Sequence, residues 1–470
     1  MRKKTKIVFS VLFAFVLVSI LIMSLNHKTF ISDKYKNIAI YVESAYGTDD
    51  FVLSTNLDMN KIPKSGYILD TTRSTCVNNS VLSWSHAKRN VSISTNKSDK
   101  CSVYLIKLPD SDDVLGFLNL TANLDDIPDT SVSSSSDVDG IFPIEDDYGV
   151  SYVFRGNLVN NYVKFGQYAG NYVEYNYIDG NGHEYYYPNL ALCESYAGVG
   201  NCQTNNSKAG ADMYWRIVRI NGDGSLRLVY DGTSAHDNND ASVDRVALPG
   251  VLWNTRDDDN KYVGYMYGGA LGTASTSLAG AVANETDTNI KTILDAWYSV
   301  NILGTPYAEL ISDEIFCNDR TFVDDGFVNS NISGYGGNST VHRGESLTSG
   351  EFDLKCPQKN DAFTVEDIAN GNGNLNNPIG LLTVEDAIYA GASTNSDANS
   401  NYFLYKGFKY YTMSPGISGS QAGIMSVLAD GSITYEPAVL PSSLVPVINI
   451  SSEYVEALDG NGSKSNPYHF

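Results

Sequence analysis

The chain has 470 residues and a net charge of −22, from 32 basic and 54 acidic side chains. A surface this acidic repels nucleic acid and anionic lipid headgroups, so we expect the chain to bind neither. Its 32 tyrosines and abundant Asn, Gly and Ser favour β-structure with polar loops, a composition also typical of surfaces that bind by stacking and hydrogen bonding.

The N-terminus predicts a membrane anchor. Four basic residues within the first six precede an uncharged stretch from Ile7 to Leu25. At about 1.5 Å per residue this stretch makes a helix of roughly 28 Å, close to the thickness of the bilayer hydrocarbon. The basic residues before it place the N-terminus in the cytoplasm and the rest of the chain outside. We predict a cytoplasmic stub and a single signal-anchor transmembrane helix over residues 1–27; a cleaved signal peptide is the alternative, and it also exports the chain.

Six cysteines in a chain predicted to be exported indicate disulfides. The positions fall into three local couples, which favours the pairs Cys76–Cys101, Cys193–Cys202 and Cys317–Cys356 among the 15 possible pairings. The chain has no Cys-x-x-Cys and no cluster of Cys with His, so we predict no metal site of the zinc type.

A small β module is predicted over residues 37–107, where short β-rich runs alternate with polar turns. The runs are Ile38–Val42, Val91–Ile93 and Ser102–Ile106. Trp84 lies between Cys76 and Cys101, but the 24 positions from 77 to 100 are too few for the inter-sheet bridge of an immunoglobulin domain. A stack of hairpins pinned by one disulfide fits this spacing better.

An acidic, Ser-rich segment over residues 108–146 offers few residues for a core and is predicted to be a linker. The large domain, residues 147–470, then begins with strand patterns at Val150–Arg155 and Tyr162–Phe165. A hairpin is predicted from Tyr214–Ile220, the turn Asn221–Gly224, and Ser225–Tyr230.

Helical periodicity is confined to a few segments of the large domain. Thr288 to Tyr298 places Ile290, Ile293, Leu294 and Trp297 on one stripe, and Thr383 is a candidate N-cap for a helix from Val384 to Ala390. A few helices beside an irregular antiparallel sheet predict an α+β domain.

Several segments of the large domain resemble, in their order, an uncharacterised bacterial surface domain. The segments are Trp215–Tyr230, Leu294–Tyr298, Gly380–Ala387, Tyr410–Pro415 and Val445–Ile450. The typical motifs of that domain are W-R-V-L, W-L, L-S-x-x-E-A, W-W-L-R-S-P and V-R-P-A-L. It is similar to the C-type-lectin-like fold shared with formylglycine-generating enzymes. The resemblance implies that fold for the C-terminal domain, and the N-terminal module resembles Cys-Trp-Cys repeats of Gram-positive surface proteins.

The chain departs from these families where their functional residues lie. Tyr410–Pro415 lacks the family arginine, and no arginine precedes Pro446, so two candidate anion-binding groups are absent. No cysteine follows Cys356, so the copper-binding thiol pair of formylglycine-generating enzymes is not carried over. The calcium-dependent lectin motifs are missing too, since Trp253-Asn254 is followed by Thr255.

Signatures of catalysis are also lacking: the chain has no Gly-x-Ser-x-Gly, phosphate-loop or His-Glu-x-x-His motif. Its many carboxylates leave open a glycosidase pair, which the sequence does not reveal. The acidic loops Asp231–Asp244 and Asp257–Asn260 offer oxygen ligands for Ca²⁺ without EF-hand spacing, so plain polar loops are favoured and calcium is the alternative.

The aromatic run from Tyr402 to Tyr411 is the most ligand-like feature of the sequence. If it is a strand, its alternation buries at least half of it. The hypothesis is that the exposed members, Tyr405 and Tyr410 with Asn401, form a stacking platform.

We therefore predict a mainly β protein with an α+β C-terminal domain: a small N-terminal β module and a C-type-lectin-like domain behind one transmembrane helix. The expected function is a non-catalytic binding or adhesion module on a bacterial surface, with a glycan or a protein as ligand, no catalytic residues and no cofactor. The alternative is an extracellular hydrolase that acts on glycans.

Overall fold

The computed structural model describes residues 38–54, 66–85, 90–94, 99–123, 139–321, 352–394, 398–416 and 421–470. The chain divides into two compact units, residues 1–108 and 109–470. Within the described ranges, no helix is long and apolar enough to cross a membrane. The predicted anchor helix over residues 1–27 lies outside these ranges.

The first unit is built from short strands. They are β1 Ile38–Glu43, β2 Phe51–Ser54, β3 Tyr67–Leu69, β4 Thr75–Cys76, β5 Val81–Ser85, β6 Asn90–Ser94 and β7 Cys101–Lys107. The three predicted runs are confirmed as β1, β6 and β7. The main sheet has the order β2-β1-β7-β3, with β4 also on β7, and β5 pairs with β6.

The prediction of a stack of hairpins is wrong for the main sheet, because β1 runs parallel to β7. Two parallel strands need a long crossover connection between them. The β1–β7 pair therefore joins the first and last strands of the module, which are not neighbours in sequence. Val103 and Leu105 of β7 form the centre of its small core with Ile40 and Leu69.

The second unit contains the remaining described elements. Its strands are β8 Gly140–Asp146, β9 Gly149–Arg155, β10 Tyr162–Gln167, β11 Glu174–Ile178, β12 Glu184–Tyr187, β13 Gln203–Asn205, β14 Asp212–Ile220, β15 Leu226–Gly232, β16 Leu248–Val251, β17 Met266–Tyr267, β18 Thr286–Asp287, β19 Phe316–Cys317, β20 Ala362–Phe363, β21 Tyr410–Pro415, β22 Gly423–Val427, β23 Ile433–Pro437, β24 Ser442–Leu444 and β25 Val447–Ile450. Its helices are α1 Ser111–Phe117, α2 Leu190–Ala197, α3 Leu278–Ala281, α4 Asn289–Asn301, α5 Val384–Ala390 and α6 Ser452–Val455. The mainly β fold with a few helices is thus confirmed.

Two larger sheets organise this unit. One has the order β25-β15-β14-β9-β8, with β10 on β14, and the other has the order β16-β24-β21-β22-β23. The predicted hairpin is confirmed as β14 and β15. Both faces of the hairpin are covered, since Trp215, Ile217, Val218 and Ile220 are all buried. The hairpin is therefore the middle of the core.

Both predicted helices are confirmed. In α4, the stripe of Ile290, Ile293, Leu294 and Trp297 is wholly buried. In α5, Thr383 caps the first turn by accepting the Asp386 N–H, and the Asp386 carboxylate accepts the Thr383 N–H in return. This reciprocal pair satisfies two backbone donors that the first turn would otherwise leave unbonded.

The predicted linker over residues 108–146 is wrong at both ends. Its start forms α1, whose Val114 joins the main core, and its end forms β8, whose Ile141 is buried in the same core. Asp110 and Asp113 close a capping box, so acidic residues that suggested a solvated spacer begin a helix instead. Positions 124–138 of the predicted linker lie outside the described residues.

All three predicted disulfides are confirmed: Cys76–Cys101, Cys193–Cys202 and Cys317–Cys356. Cys76 and Cys101 face each other on β4 and β7. Cys317 belongs to β19 and is buried, so the third bridge fixes the segment that contains Cys356 against the core.

Candidate functional site

A polar cleft of the second unit lies where the β8–β9 turn meets the ends of the central hairpin. Its empty volume, including the part open to solvent, is about 320 Å³. The lining residues are Asp146, Asp147, Tyr148, Arg219, Asn221, Arg227, Glu314, Ile315, Cys317, Leu354 and Thr383. The space in it that a water molecule can enter is small, on the order of one water molecule. The cleft therefore suits a small polar group rather than a large buried ligand.

Two arginines of the hairpin lie in this cleft and share one carboxylate. Arg219 donates to Asp386 at 3.1 Å, and the Arg227 Nε lies 3.9 Å from the other oxygen of Asp386. The terminal nitrogens of Arg227 donate to the Ile315 carbonyl at 3.0 and 3.3 Å. Burial, together with the neighbouring charge of Arg219, lowers the pKa of Arg227 to about 10. Arg227 therefore remains cationic at neutral pH.

The Arg227 Nε is the unusual atom of this arrangement. It is buried, and it has no hydrogen-bond acceptor among the described residues. A buried donor without an acceptor costs about 1–3 kcal/mol, and the Asp386 carboxylate at 3.9 Å is the ionic partner of this one.

Three carboxylates line the same cleft. Asp146 is buried and accepts the N–H groups of Tyr148 and Gly222, and burial raises its pKa despite the nearby Arg219. Asp147 lies at the exposed mouth, where it accepts the Cys356 N–H. Desolvation of its carboxylate raises the pKa of Asp147 to about 6. The third carboxylate, Glu314, is buried.

Tyr148 supplies a hydroxyl between these charges. The hydroxyl oxygen accepts the Ile315 N–H at 3.0 Å, which leaves its own proton available for donation. Burial and the nearby Glu314 raise the pKa of Tyr148 well above its ordinary value, so the phenol stays protonated. The cleft thus combines cationic and phenolic donors with carboxylate acceptors.

The residues of the predicted stacking platform do not line the cleft, and the prediction that Tyr410 is exposed is wrong. Tyr410 is fully buried in β21 and donates its O–H to the Leu404 carbonyl. Tyr405 is half-buried against the core and Asn401 is exposed. Residues 401–409 form turns rather than a strand, so the alternation on which the prediction depended does not apply.

In the two acidic loops predicted as possible calcium sites, the carboxylates bind other groups of the protein. Asp231 is fully buried and accepts from Arg245 at 2.7 Å and from Lys406 at 2.8 Å. Asp258 pairs with Arg256, and Asp259 accepts from Lys261 and Ser275. In the described ranges, three or more metal-ligand atoms converge only at Cys76, Asp99 and Cys101, where both sulfurs form a disulfide.

In the acidic loop Asp231–Asp244, the side chains of Ser234, His236 and Asp240 are arranged in a way similar to a catalytic triad. His236 lies 3.2 Å from the Ser234 hydroxyl and 2.9 Å from Asp240. Asp244, however, lies 2.9 Å from the same Nε2 that faces the serine. Burial alone would lower the pKa of His236, but hydrogen bonds to Asp244 and Asp240 raise it. An imidazolium that donates to two carboxylates is a poor base, so these side chains tie the loop together.

Sequence reasoning missed the cleft, although one signal was present. Arg219 and Arg227 interrupt apolar strands, and a buried arginine requires a partner. The partners come from distant segments, at 146–148, 314–315 and 386, whose proximity no sequence pattern shows. Asp146 is the last residue of the predicted linker but lies at the end of β8, and it lines the cleft.

A scan against protein-family models, a search of the curated proteins and a search of the solved structures found no match for this chain. The structure defines a disulfide-bonded, mainly β protein. The C-type-lectin-like relationship stays a prediction.

Proposed function

We propose that the chain is a single-pass membrane-anchored protein of a bacterial surface, with its C-terminal domain outside the cell as a non-catalytic binding or adhesion module. The observation that carries the proposal is the arginine–carboxylate cleft bordered by the Cys317–Cys356 disulfide. Structural disulfides persist in oxidising surroundings, which supports export. A cleft with donors and acceptors already fixed by the fold supports recognition of a polar group.

Hydrogen bonds within the protein hold the polar groups of the cleft in place, which supports binding. Its arginines are held by Asp386, Asn221 and the Ile315 carbonyl, and its mouth is tied to Cys356. Groups fixed in this way lose little conformational entropy when a ligand binds.

The test is attachment of bacterial cells to host-cell and bacterial surfaces. Cells with the native chain should attach, and cells with Asp147→Asn should attach several-fold less, because the mouth of the cleft loses a charged acceptor. Asp237→Asn is the matched control, since Asp237 is exposed and does not line the cleft. Equal attachment of cells that lack the chain would contradict the proposal.

One observation favours the alternative of an extracellular glycan hydrolase. A carboxyl with a pKa of about 6, as at Asp147, suits a general acid, and Asp146 and Glu314 line the same cleft. The cleft has too little space for a sugar ring to bind between these carboxylates, which disfavours the hydrolase. Release of reducing sugar from any polysaccharide by the purified chain, lost in Asp147→Asn, would reverse the ranking.

A further inference from the structure

Four tyrosine rings of the second unit form a stack that reaches the protein surface. Tyr185 of β12 and Tyr177 of β11 are cross-strand partners, and their ring centroids lie 5.1 Å apart. The ring of Tyr187, two residues further along β12, lies 6.2 Å from that of Tyr177. Tyr196 of α2 completes the stack, with its ring 5.2 Å from that of Tyr187. The planes of the three pairs differ by only 26°, 13° and 18°, and none of these tyrosines lines the cleft.

We propose that this tyrosine stack is a one-electron relay, which makes Tyr196 the site where one-electron oxidants modify the chain. Phenols are among the side chains that lose an electron most easily, and rings in stacked contact exchange electrons directly. The oxidant is of the class of the ferryl haem of peroxidases, which takes one electron from each phenol. This activity goes beyond the proposed binding function and does not depend on it.

The two ends of the tyrosine stack have the proton acceptors that oxidation of a phenol requires. A tyrosine that loses an electron becomes a strong acid, so its proton has to pass to a nearby base or to water. At one end, the Tyr185 hydroxyl donates to the Asp179 carboxylate at 3.3 Å, and Nδ1 of His183 lies 3.3 Å from the same carboxylate oxygen. At the other end, Tyr196 is 37% exposed, so water accepts its proton.

The ring that connects Tyr177 to Tyr196 has no such acceptor. Tyr187 is 1% exposed, and its hydroxyl is hydrogen-bonded to the hydroxyl of Tyr177. Tyr187 therefore passes the electron on without keeping the radical.

The radical comes to rest on Tyr196. An oxidant that takes an electron from Tyr185 sends the proton of this phenol to Asp179. An electron from Tyr196 then moves through the stack, Tyr185 takes its proton back, and Tyr196 releases its own proton to water. The Tyr196 phenoxyl radical couples through its ortho carbon to a second phenoxyl radical. A carbon–carbon bond forms, and each phenol has lost one electron and one proton.

The experiment starts the oxidation at the His183 end of the stack. The full-length chain in detergent is labelled on its accessible histidines with a ruthenium bipyridyl complex. It is then illuminated with a cobalt(III) ammine as electron acceptor and tyramine as the second phenol, and the adducts are mapped by mass spectrometry. His183 suits the label because it is exposed and its ring lies 6.4 Å from that of Tyr185. We expect a tyramine adduct on Tyr196 and several-fold less on Tyr435, although Tyr435 is the more exposed ring, at 49%.

Two variants test the path. Tyr187→Phe keeps a ring in the stack but removes the oxidisable phenol, and His183→Gln removes the label at the start of the path while the other histidines keep theirs. Each should lower the Tyr196 adduct several-fold and leave the Tyr435 adduct unchanged. Since His183 is exposed, His183→Gln keeps the test valid if Tyr187→Phe fails to fold.

Two results overturn the inference. An unchanged Tyr196 adduct in either folded variant shows that this ring is oxidised directly from solvent or by another path. An adduct on Tyr435 equal to that on Tyr196 in the native chain shows that exposure alone selects the site.

Discussion

At the scale of single residues, the second unit depends on buried ions that share partners. Asp386 pairs with Arg219 and Arg227 and also caps the first turn of α5. Asp231 pairs with Arg245 and Lys406. Removing one member of such a set leaves charges buried without compensation, which costs more than the set contributes when complete.

Asp386→Asn tests this dependence. It removes the countercharge of two buried arginines, so the free energy of unfolding of the second unit should fall by about 3–5 kcal/mol. Urea unfolding followed by fluorescence of Trp215, Trp253 and Trp297 measures the change. Asp258→Asn is the control, because its pair with Arg256 is exposed and should matter little. Equal effects of the two variants would contradict the account.

At the scale of elements, the predictable parts of the fold were those with local signals. α4 has an apolar stripe, α5 has a capping threonine, and the β14–β15 hairpin has an Asn-Gly turn. The parallel pairing of β1 with β7 has no local signal. The same is true of the cleft, because the long-range pairing of β9 with β14 brings the β8–β9 turn to the hairpin.

The contact of the β8–β9 turn with the hairpin turn gives an element-scale prediction. A Cβ at Gly222 would lie 2.5 Å from the Gly149 nitrogen and 2.7 Å from the Tyr148 carbonyl carbon. Gly222→Ala should therefore displace the turn that carries Asp146 and Asp147 and lower the melting temperature, at a cost of about 1–3 kcal/mol.

Gly116→Ala is the matched control for this prediction. Gly116 lies in α1, and a Cβ there meets nothing within 4 Å. The exchange should be neutral or stabilise the chain by about 0.4–1 kcal/mol. A Gly222→Ala protein as stable as the Gly116→Ala protein would show that the two turns do not need their close approach.

The loop between β15 and β16 should lose protection as the pH rises. The pKa of His236 is raised in the folded chain, so its stabilising contribution is complete below the unfolded value of about 6.5 and is lost as the pH rises through the folded value. Asp240, Asp244 and Asp231 are the charged groups that act on this imidazole.

Hydrogen exchange over residues 233–245, corrected for the intrinsic rate, measures this loss. Protection in the native chain should fall as the pH rises above about 6.5 and through the folded pKa of His236. His236→Gln cannot carry the charge, so its lower protection should not change over this range. The same pH dependence in both proteins would contradict the assignment to His236.

For the whole chain, the Cys317–Cys356 disulfide is important in two ways. It borders the cleft, and it favours the predicted location outside the cell. The Cys317–Cys356 bridge closes a loop of 39 residues, worth on the order of 4 kcal/mol, and Cys356 donates to Asp147 at the mouth of the cleft. Mild reduction should therefore expose residues 318–321 and 352–355, which adjoin the bridge, to protease before the core around Trp215 is cut. Peptide mapping before and after reduction checks this order, and simultaneous cleavage of both regions would contradict it.

We propose that both units lie outside the cell with their disulfides formed. The direct measurement is protease treatment of intact bacteria, followed by mass spectrometry of the released peptides without reduction. We expect released peptides that contain all three bridges, Cys76–Cys101, Cys193–Cys202 and Cys317–Cys356. Protection of the whole chain in intact cells, or free thiols at these six positions, would contradict it.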